Sequence, residues 1–385
     1  MQKNKSLPKN WKREKLVDIC EIYQSKTISG KEIKKKGSYV VFGANGKIGY
    51  YRKYNHLESQ VLVTCRGATC GTVNMSNPKS WITGNAMVIK PKEQGVLKKF
   101  LFYILKGLNL SAVITGSAQP QITKGAISSF KILFPPSSEQ NKIVKVLDSI
   151  QKAVDTQNDL IEKTRELKRV MMKKLFTEGT RGEKQKDPKI GKIPKSWKVF
   201  MLKEFVQRKI DSRKPKTGDK YIGLEHLNSG ENKIHGFGDG AEVKSTKNIF
   251  EVNDILYGKL RPYLDKVALA HFSGVCSTDI MVLQPIKERL TSKFLVYFLH
   301  NSSFRAVADA TTQGTNHPRT SWERLKKFEF TIPTVNEQKK IVNILQNVDE
   351  KIEIHKNKKE KYEELFRSML HKLITAEVRV DKIKV

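Results

Sequence analysis

Cationic side chains set among glycines and aromatics recur along this chain at the ends of β-rich runs. From Gly43 to Lys53 the order is Gly-Ala-Asn-Gly-Lys-Ile-Gly-Tyr-Tyr-Arg-Lys, which puts Asn45, Lys47, Tyr50, Arg52 and Lys53 on one glycine-rich segment. Glycines let backbone amides approach a phosphate closely, and Lys and Arg neutralise it. The plainer alternative is a tight hairpin with no ligand. It is not a Walker loop, because Gly46-Lys47 lacks the upstream glycine spacing and the following Ser or Thr. Cys65-Arg66-Gly67-Ala68-Thr69 presents Arg66 and Thr69 after a strand-like run. Arginine can read guanine through two hydrogen bonds, although a lone loop arginine also suits a surface ion pair.

The second half carries Tyr257-Gly258-Lys259-Leu260-Arg261-Pro262-Tyr263, a cationic turn flanked by aromatics, with Arg213 and Lys214 on a basic loop that also reads as a solvated face. Thr311 to His317 aligns with the Thr115–Gln119 region at an offset of 198. The small polar and amide residues Gln119, Gln313, Asn316 and His317, with the nearby Arg319, suit base edges, but they suit any loop as well. The chemistry these residues share is anion binding and hydrogen-bond reading, not bond cleavage. No GxGxxG follows a strand, no NPPY- or DPPY-like tetrapeptide occurs, no HExxH occurs, and the eight histidines show no ligand spacing. Cys20, Cys65, Cys70 and Cys276 form no CxxC pair, so neither zinc nor a disulfide framework is expected.

The elements that must carry these loops are organised by a repeat. Glu139–Phe176 and Glu337–Ile374 align without a gap at the 198 offset, with 14 of 38 positions identical. Glu139, Gln140, Ile143, Val144 and Leu147 recur as Glu337, Gln338, Ile341, Val342 and Leu345. Both stretches lack Pro and Gly and carry apolar residues at three and four spacings, which predicts two long helices. Leu147, Val154 and Ile161, seven apart, with Leu345, Ile352 and Leu365, are expected to form a coiled-coil seam. Ser137 with Gln140, or Thr334 with Glu337, has capping-box spacing, and Gly179 suits a left-handed helix end. At 1.5 Å per residue each helix is a rod of roughly 57 Å, the span of about 17 base pairs.

A second echo pairs residues 7–12, LPKNWK, with 193–198, IPKSWK. Each half thus runs PKxWK, a variable part, a Pro-flanked junction and a long helix. The variable parts read as mixed α and β. Strands are expected over Tyr39–Phe42, Gln60–Thr64, Ala86–Ile89, Asp254–Tyr257, Val267–Ala270 and Ile280–Leu283, and short helices over Lys98–Lys106 and Ser292–Leu299. Lys and Arg total 72 against 39 Asp and Glu, a net charge of +33, which calls for a polyanionic partner. Basic residues at the N-terminus are not followed by an apolar run, and no window is apolar enough to span a bilayer, so a cytoplasmic protein without a membrane partner is expected. A self-contained nuclease or methyltransferase, a coiled-coil adaptor that reads no sequence, and an RNA binder are the rivals. The absent motifs weigh against the first and the charge with two diverged loop sets against the second. No RNP1-like aromatic motif supports the third.

The order of these segments resembles the specificity subunit of type I restriction-modification systems. FPPSSEQNKIV and IPTVNEQKKIV at the helix starts carry the resemblance most strongly, helped by GANGKIGY and GATCGTVN in the first variable part and YGKLRPYLDKV and CSTDIMVLQP in the second. It implies an α+β protein with two mixed α/β target-recognition domains, each followed by a long helix. The helices would pack as an antiparallel coiled coil with pseudo-twofold symmetry. The divisions would be 1–138 and 181–335 for the two domains (linker about 180–192), with helices at 139–180 and 336–385. It further implies a non-catalytic subunit that binds an asymmetric, split double-stranded DNA target. Two methyltransferase subunits and the restriction-translocase subunits would dock on it. S-adenosylmethionine, ATP and magnesium would belong to those partners, and no cofactor to this chain.

Overall fold

In the computed structural model, residues 8, 10–92, 95–116, 119–188, 191–286 and 288–380 are described. They form two compact units: residues up to Asp159 together with those from Lys356 onward, and Leu160–His355. The long helices are Ser137–Glu178 and Val335–Ile374. Each unit therefore owns half of both. Leu7 and Lys9 of the first PKxWK phrase lie outside the described residues.

The first unit is built on a four-stranded antiparallel sheet in the order Cys20–Gln24, Ala86–Pro91, Val61–Thr64, Val73–Met75. Its central strands are continuous apolar runs because both faces are covered; all four residues of Val61–Thr64 are buried. Beside it, Tyr39–Gly43 pairs antiparallel with Gly46–Tyr51 and parallel with Trp81–Ile82. Lys12–Lys15 pairs with Lys131–Phe134 and leads the chain into the central helix. Helix Lys98–Gly107 lays Phe100, Leu101 and Ile104 on the core. The same core takes Ile143 and Leu147 from the start of the central helix and Phe366, Leu370 and Leu373 from the end of the distal one. Starts meet ends, so the two helices are antiparallel here. Each such side chain contributes about 1.5–3 kcal/mol on burial.

The second unit repeats the plan. Its four-stranded sheet runs Val206–Lys209, Ile280–Pro285, Ile255–Gly258, Val267–Leu269. Lys220–Ile222 pairs antiparallel with Gly238–Asp239 and parallel with Gly274–Cys276, as the first unit's hairpin does, and Ser212–Arg213 with Lys247–Phe250 extend that sheet to five strands. Lys198–Met201 pairs with Glu329–Ile332, and helix Ser292–Leu299 covers the core. Met172, Leu175 and Phe176 of the central helix meet Ile341, Val342 and Leu345 of the distal helix, again antiparallel. Ile161 packs with Val348 and Ile352 in a smaller cluster.

Four of the expected seam residues, Leu147, Ile161, Leu345 and Ile352, lie in these clusters, and Val154 is buried as well. Leu365 is not in the seam: it is 45% exposed. Steps of seven from Ile352 arrive at Lys359 and Phe366, so the neighbouring Phe366 takes the inward position, and Leu365 faces outward as its repeat mate Leu167 does.

The expected capping boxes are also replaced. The Ser137 hydroxyl donates to Gly95 O, and the buried Gln140 donates to Gly95 O and Pro135 O while accepting from Leu97 N. Gln338 does the same to Arg289 O, Pro333 O and Thr291 N. The glutamates beside them take a tryptophan each. Trp11 Nε1 donates to Glu139 at 2.9 Å and Trp197 Nε1 to Glu337 at 3.2 Å. An arginine from just past a helix end completes each group: Arg379 to Glu139 at 3.0 Å, and Arg181 to Glu337 at 3.5 Å. Arg181 and Arg379 stand 198 apart, the repeat offset. The PKxWK phrase and the Glu-Gln pair are thus one lock, used twice. Gly179 closes the central helix at φ 69° as its type allows.

Candidate nucleic-acid interface

In the first unit the polar loops gather at the end of strand Val61–Thr64. The Thr64 hydroxyl donates to Ala44 O, which docks the hairpin tip there, and Asn74 Nδ2 donates to Asn45 Oδ1 at 3.2 Å. The next residues zip onto the 115–122 loop: Gly67 N donates to Pro120 O at 3.0 Å and Ile122 N to Cys65 O at 3.0 Å, with Arg66 bridged to Gln121. Asn45, Arg66, Thr69 and Gln119 are all exposed on this platform. Ser117 and Ala118 lie outside the described residues. Lys47 Nζ donates to the Tyr50 hydroxyl at 2.6 Å and sits 4.2 Å from its ring centre, a cation held ready by its aromatic neighbour. Arg52 and Lys53 follow the other end of Gly46–Tyr51, roughly 20 Å along the strand from the tip. They are exposed but apart from the group.

The second unit builds the same platform. Arg261 N donates to Pro318 O at 2.8 Å, Thr320 N to Lys259 O at 3.1 Å, and Gln313 and Arg319 exchange both backbone hydrogen bonds. Pro120 and Pro318 are 198 apart, and the two strand-end turns are 194 apart, from Gly67 to Arg261. Gly67 and Gly71 have φ of 89° and 90°; Arg261 and Asp265, at the matching places, have 50° and 52°. One turn geometry therefore carries glycines in one unit and charged residues in the other.

Arg319 sits in a two-pronged pair with Asp279, Nε to Oδ1 at 2.7 Å and Nη2 to Oδ2 at 3.0 Å. The guanidinium holds the Asp279 carboxyl below the usual carboxylate range. Burial pushes the Lys259 ammonium below its ordinary value, opposed by Asp279 and reinforced by Arg208 and Arg319. Arg261 reaches Asn316 O at 3.4 Å, and Gln313, Asn316, His317 and Tyr263 are exposed. Arg213 is turned back on its own loop. It grips Asp219, Nη2 to Oδ1 at 2.8 Å, and lowers that carboxyl to about 2. Lys214 beside it stays exposed. Arg213 stiffens the basic loop instead of leading it.

Asp279 and Asp265 hold arginines of the candidate interface, and a search for cations and amides passes over them. Both lie inside phrases quoted for the resemblance, but an acidic residue on a basic surface has no obvious ligand until its arginine is seen. Among the described residues, no group of three or more His, Cys, Asp or Glu could hold a metal ion.

The sequence of the whole chain carries the same message as this doubled platform. The family model for the type I restriction modification DNA specificity domain matches residues 8–166 and again 194–364. The chain belongs to this family. It is 26% identical over 346 residues to the type I restriction enzyme MjaVIII specificity subunit of Methanocaldococcus jannaschii, covering 85% of this chain and 80% of that one. It is 23% identical over 372 residues to the type I restriction enzyme EcoDI specificity subunit of Escherichia coli, covering 89% and 82%. In fold it is similar to the type I restriction-modification S subunit from M. genitalium, with a TM-score of 0.57, 17% identity, and 97% and 98% coverage. A chain solved in work on complex assembly and conformational transition of the type I R-M system gives a TM-score of 0.60 at 14% identity, covering 96% and 99%. The α+β architecture of two mixed domains and two long helices is that of the specificity subunits. The chain is a type I specificity subunit, the non-catalytic, DNA-recognising component of such a system. Among the described residues no helix is long and apolar enough to cross a membrane.

Proposed function

We propose that the two platforms read the two halves of an asymmetric, split double-stranded DNA target. The supporting observation is one zipped two-loop scaffold built twice with different side chains: exposed Asn45, Arg66, Thr69 and Gln119 in one, and exposed Arg261, Tyr263, Gln313, Asn316 and His317 with the half-buried Lys259 in the other. A duplicated frame with diverged tips suits two different readings of one polymer. Lys47, Tyr50, Arg52, Lys53 and Lys214 serve the phosphates, whose neutralisation supplies affinity without sequence information. Arg213 and Arg319 shape the loops around them.

The long helices tie the readers together, because the chain passes between the units only within them, at 159–160 and 355–356. Two methyltransferase subunits and the restriction-translocase subunits dock on this frame in the cytoplasm. S-adenosylmethionine, ATP and magnesium do their chemistry on those partners. The test is to express the chain with a methyltransferase subunit encoded beside its gene and map modified bases genome-wide. The expected result is one split motif with adenine methylated in both halves. Scattered or absent modification from a complex that does form would reduce the chain to a basic adaptor. Removing four residues from a helix turns it by about 400° and shortens it by about 6 Å. The unspecified gap should then shrink by one or two base pairs, and an unchanged gap would sink the spacer role.

A further inference from the structure

The turn shared by both platforms ends in different tips. Between the left-handed Gly67 and Gly71 lie Ala68, Thr69 and Cys70; between the left-handed Arg261 and Asp265 lie Pro262, Tyr263 and Leu264. Ala68 and Thr69 are small. Tyr263 and Leu264 are large, apolar for most of their surface, and 55% and 37% exposed. A non-glycine residue in the left-handed region is strained and persists only where its surroundings over-determine it.

Here they do. Arg261 N is tied to Pro318 O at 2.8 Å. Asp265 accepts from His300 Nδ1 at 2.8 Å and Arg305 Nη1 at 3.2 Å, and its backbone O accepts from Gly230 N at 2.9 Å. Within the turn Leu264 N donates to Arg261 O and Asp265 N to Pro262 O, each at 2.9 Å. Pro262 is buried. The base of the turn is fixed on every side, and two bulky side chains stand out of it beside Lys259, Arg261 and Arg319.

A rigid apolar point among cations is what a DNA-deforming side chain requires. The cations hold the backbone, while the apolar group replaces stacking between neighbouring bases, as Phe, Leu, Ile, Met and Pro do in proteins that kink the duplex. We infer that Tyr263 and Leu264 form a wedge that the second reader drives between base pairs of its half-site, while the first reader, tipped by Ala68 and Thr69, binds its half-site without unstacking it. This rests on the DNA reading proposed above and adds a mode of reading to it: sequence is sensed through the ease of unstacking as well as through base edges.

The experiment uses the full-length chain, its methyltransferase subunits and duplexes carrying the mapped target. 2-Aminopurine is placed at successive positions of each half, and binding is measured to intact duplexes and to duplexes with one mismatch. Away from the methylated adenines, which the methyltransferase itself flips out of the stack, the parent should raise 2-aminopurine fluorescence at one step of the second unit's half and at none of the first unit's. The Tyr263→Ala/Leu264→Ala double variant should lose that signal and bind the intact duplex roughly tenfold more weakly. On the duplex mismatched at that step it should recover most of the loss, because unstacking no longer has to be supplied. Tyr263→Phe should behave as the parent, and an unchanged unfolding midpoint shows that the variants fold. Equal weakening on intact and mismatched duplexes, or specific binding by the parent with no fluorescence change away from the methylated adenines, overturns the wedge alone. Failure of the parent to prefer the target over random DNA overturns the DNA reading and the wedge with it.

Discussion

The first and second units share a four-stranded sheet, a lock at the helix start and a turn at the reading surface, yet they hold these features with different chemistry. In the first, the turn is glycine at both left-handed positions, so backbone freedom alone suffices. In the second, charged residues occupy those positions and ion pairs enforce the shape, with Asp265, Asp279 and Asp219 each gripping an arginine. The lock differs as well: the Glu337 side chain is 1% exposed and the Glu139 side chain 17%. A permissive backbone leaves the tip free to change, whereas a shape held by side chains ties the tip to its neighbours. Divergence of the loops over a duplicated frame has therefore followed two routes.

The lock offers the largest test of this contrast. Glu337→Ala leaves the buried Trp197 Nε1 and the Thr180 N–H without their acceptor, and each unsatisfied buried donor costs about 1–3 kcal/mol. Loss of about 2–4 kcal/mol is expected in the second unit. Glu139→Ala should cost the first about half as much, since water can reach the vacated place. Urea unfolding with hydrogen exchange resolved by unit measures both, and equal losses would erase the difference.

Exchanging residues at the turn comes next. Arg261→Gly should raise the second unit's stability by about 1 kcal/mol by relieving a left-handed arginine, while Gly67→Arg should lower the first unit's by about 1–2 kcal/mol. A Cβ at Gly67 meets nothing within 4 Å, so backbone strain is the whole effect there. Shifts of the same sign in the urea midpoints would show that the two turns are not equivalent.

Binding should separate the arginines. Among the described residues Arg66 has no ion-pair partner, so Arg66→Ala should leave stability unchanged, weaken target binding by about 1–3 kcal/mol and relax the preference for one base pair. Arg319→Ala should lower stability and affinity together, because Asp279 loses its partner. Urea midpoints, set beside binding to single-base variants of the target, distinguish a free reading cation from a clamped one.

The smallest effect is set by acid. Asp219 has a folded value of about 2 against an ordinary 3.8, lowered by the Arg213 hydrogen bonds first and the Lys216 backbone N–H second. A depressed carboxyl stabilises the fold above its unfolded value and loses that contribution as pH falls through the folded one. The Arg213 loop should therefore loosen between pH 3.8 and about 2, seen as faster proteolysis in that window for the parent but not for Asp219→Asn.

Much of the frame is legible in the sequence. Ungapped recurrence of Glu-Gln-x-x-Ile-Val reveals the helices, and short β-branched runs reveal the sheet strands, because both depend on local periodicity. The glycine-rich hairpin is legible for the same reason, since only glycine tolerates Gly49, where a Cβ would strike Ile33 and Lys34 O. The lock is not legible. Trp11 and Arg379 meet Glu139 across 128 and 240 residues, and nothing local at any of the three announces the others. Nor does the sequence show that Gly67 and Arg261 share a turn, because the strand ends are offset by 194 while the helices and the 115–122 loop are offset by 198. Four residues of slippage hide the match, and glycine and arginine reach one φ sign by different means.

The pairing of Arg379 with Glu139 has a consequence for synthesis. Trp11, Leu16 and Ile22 share a core with Phe366, Leu373 and Val380. The second unit draws only on Leu160–His355 and is complete before the stretch from Lys356 to Val380 emerges. On the ribosome the reader encoded first therefore finishes last. A chain truncated after His355 would spare the second reader and leave the first one open.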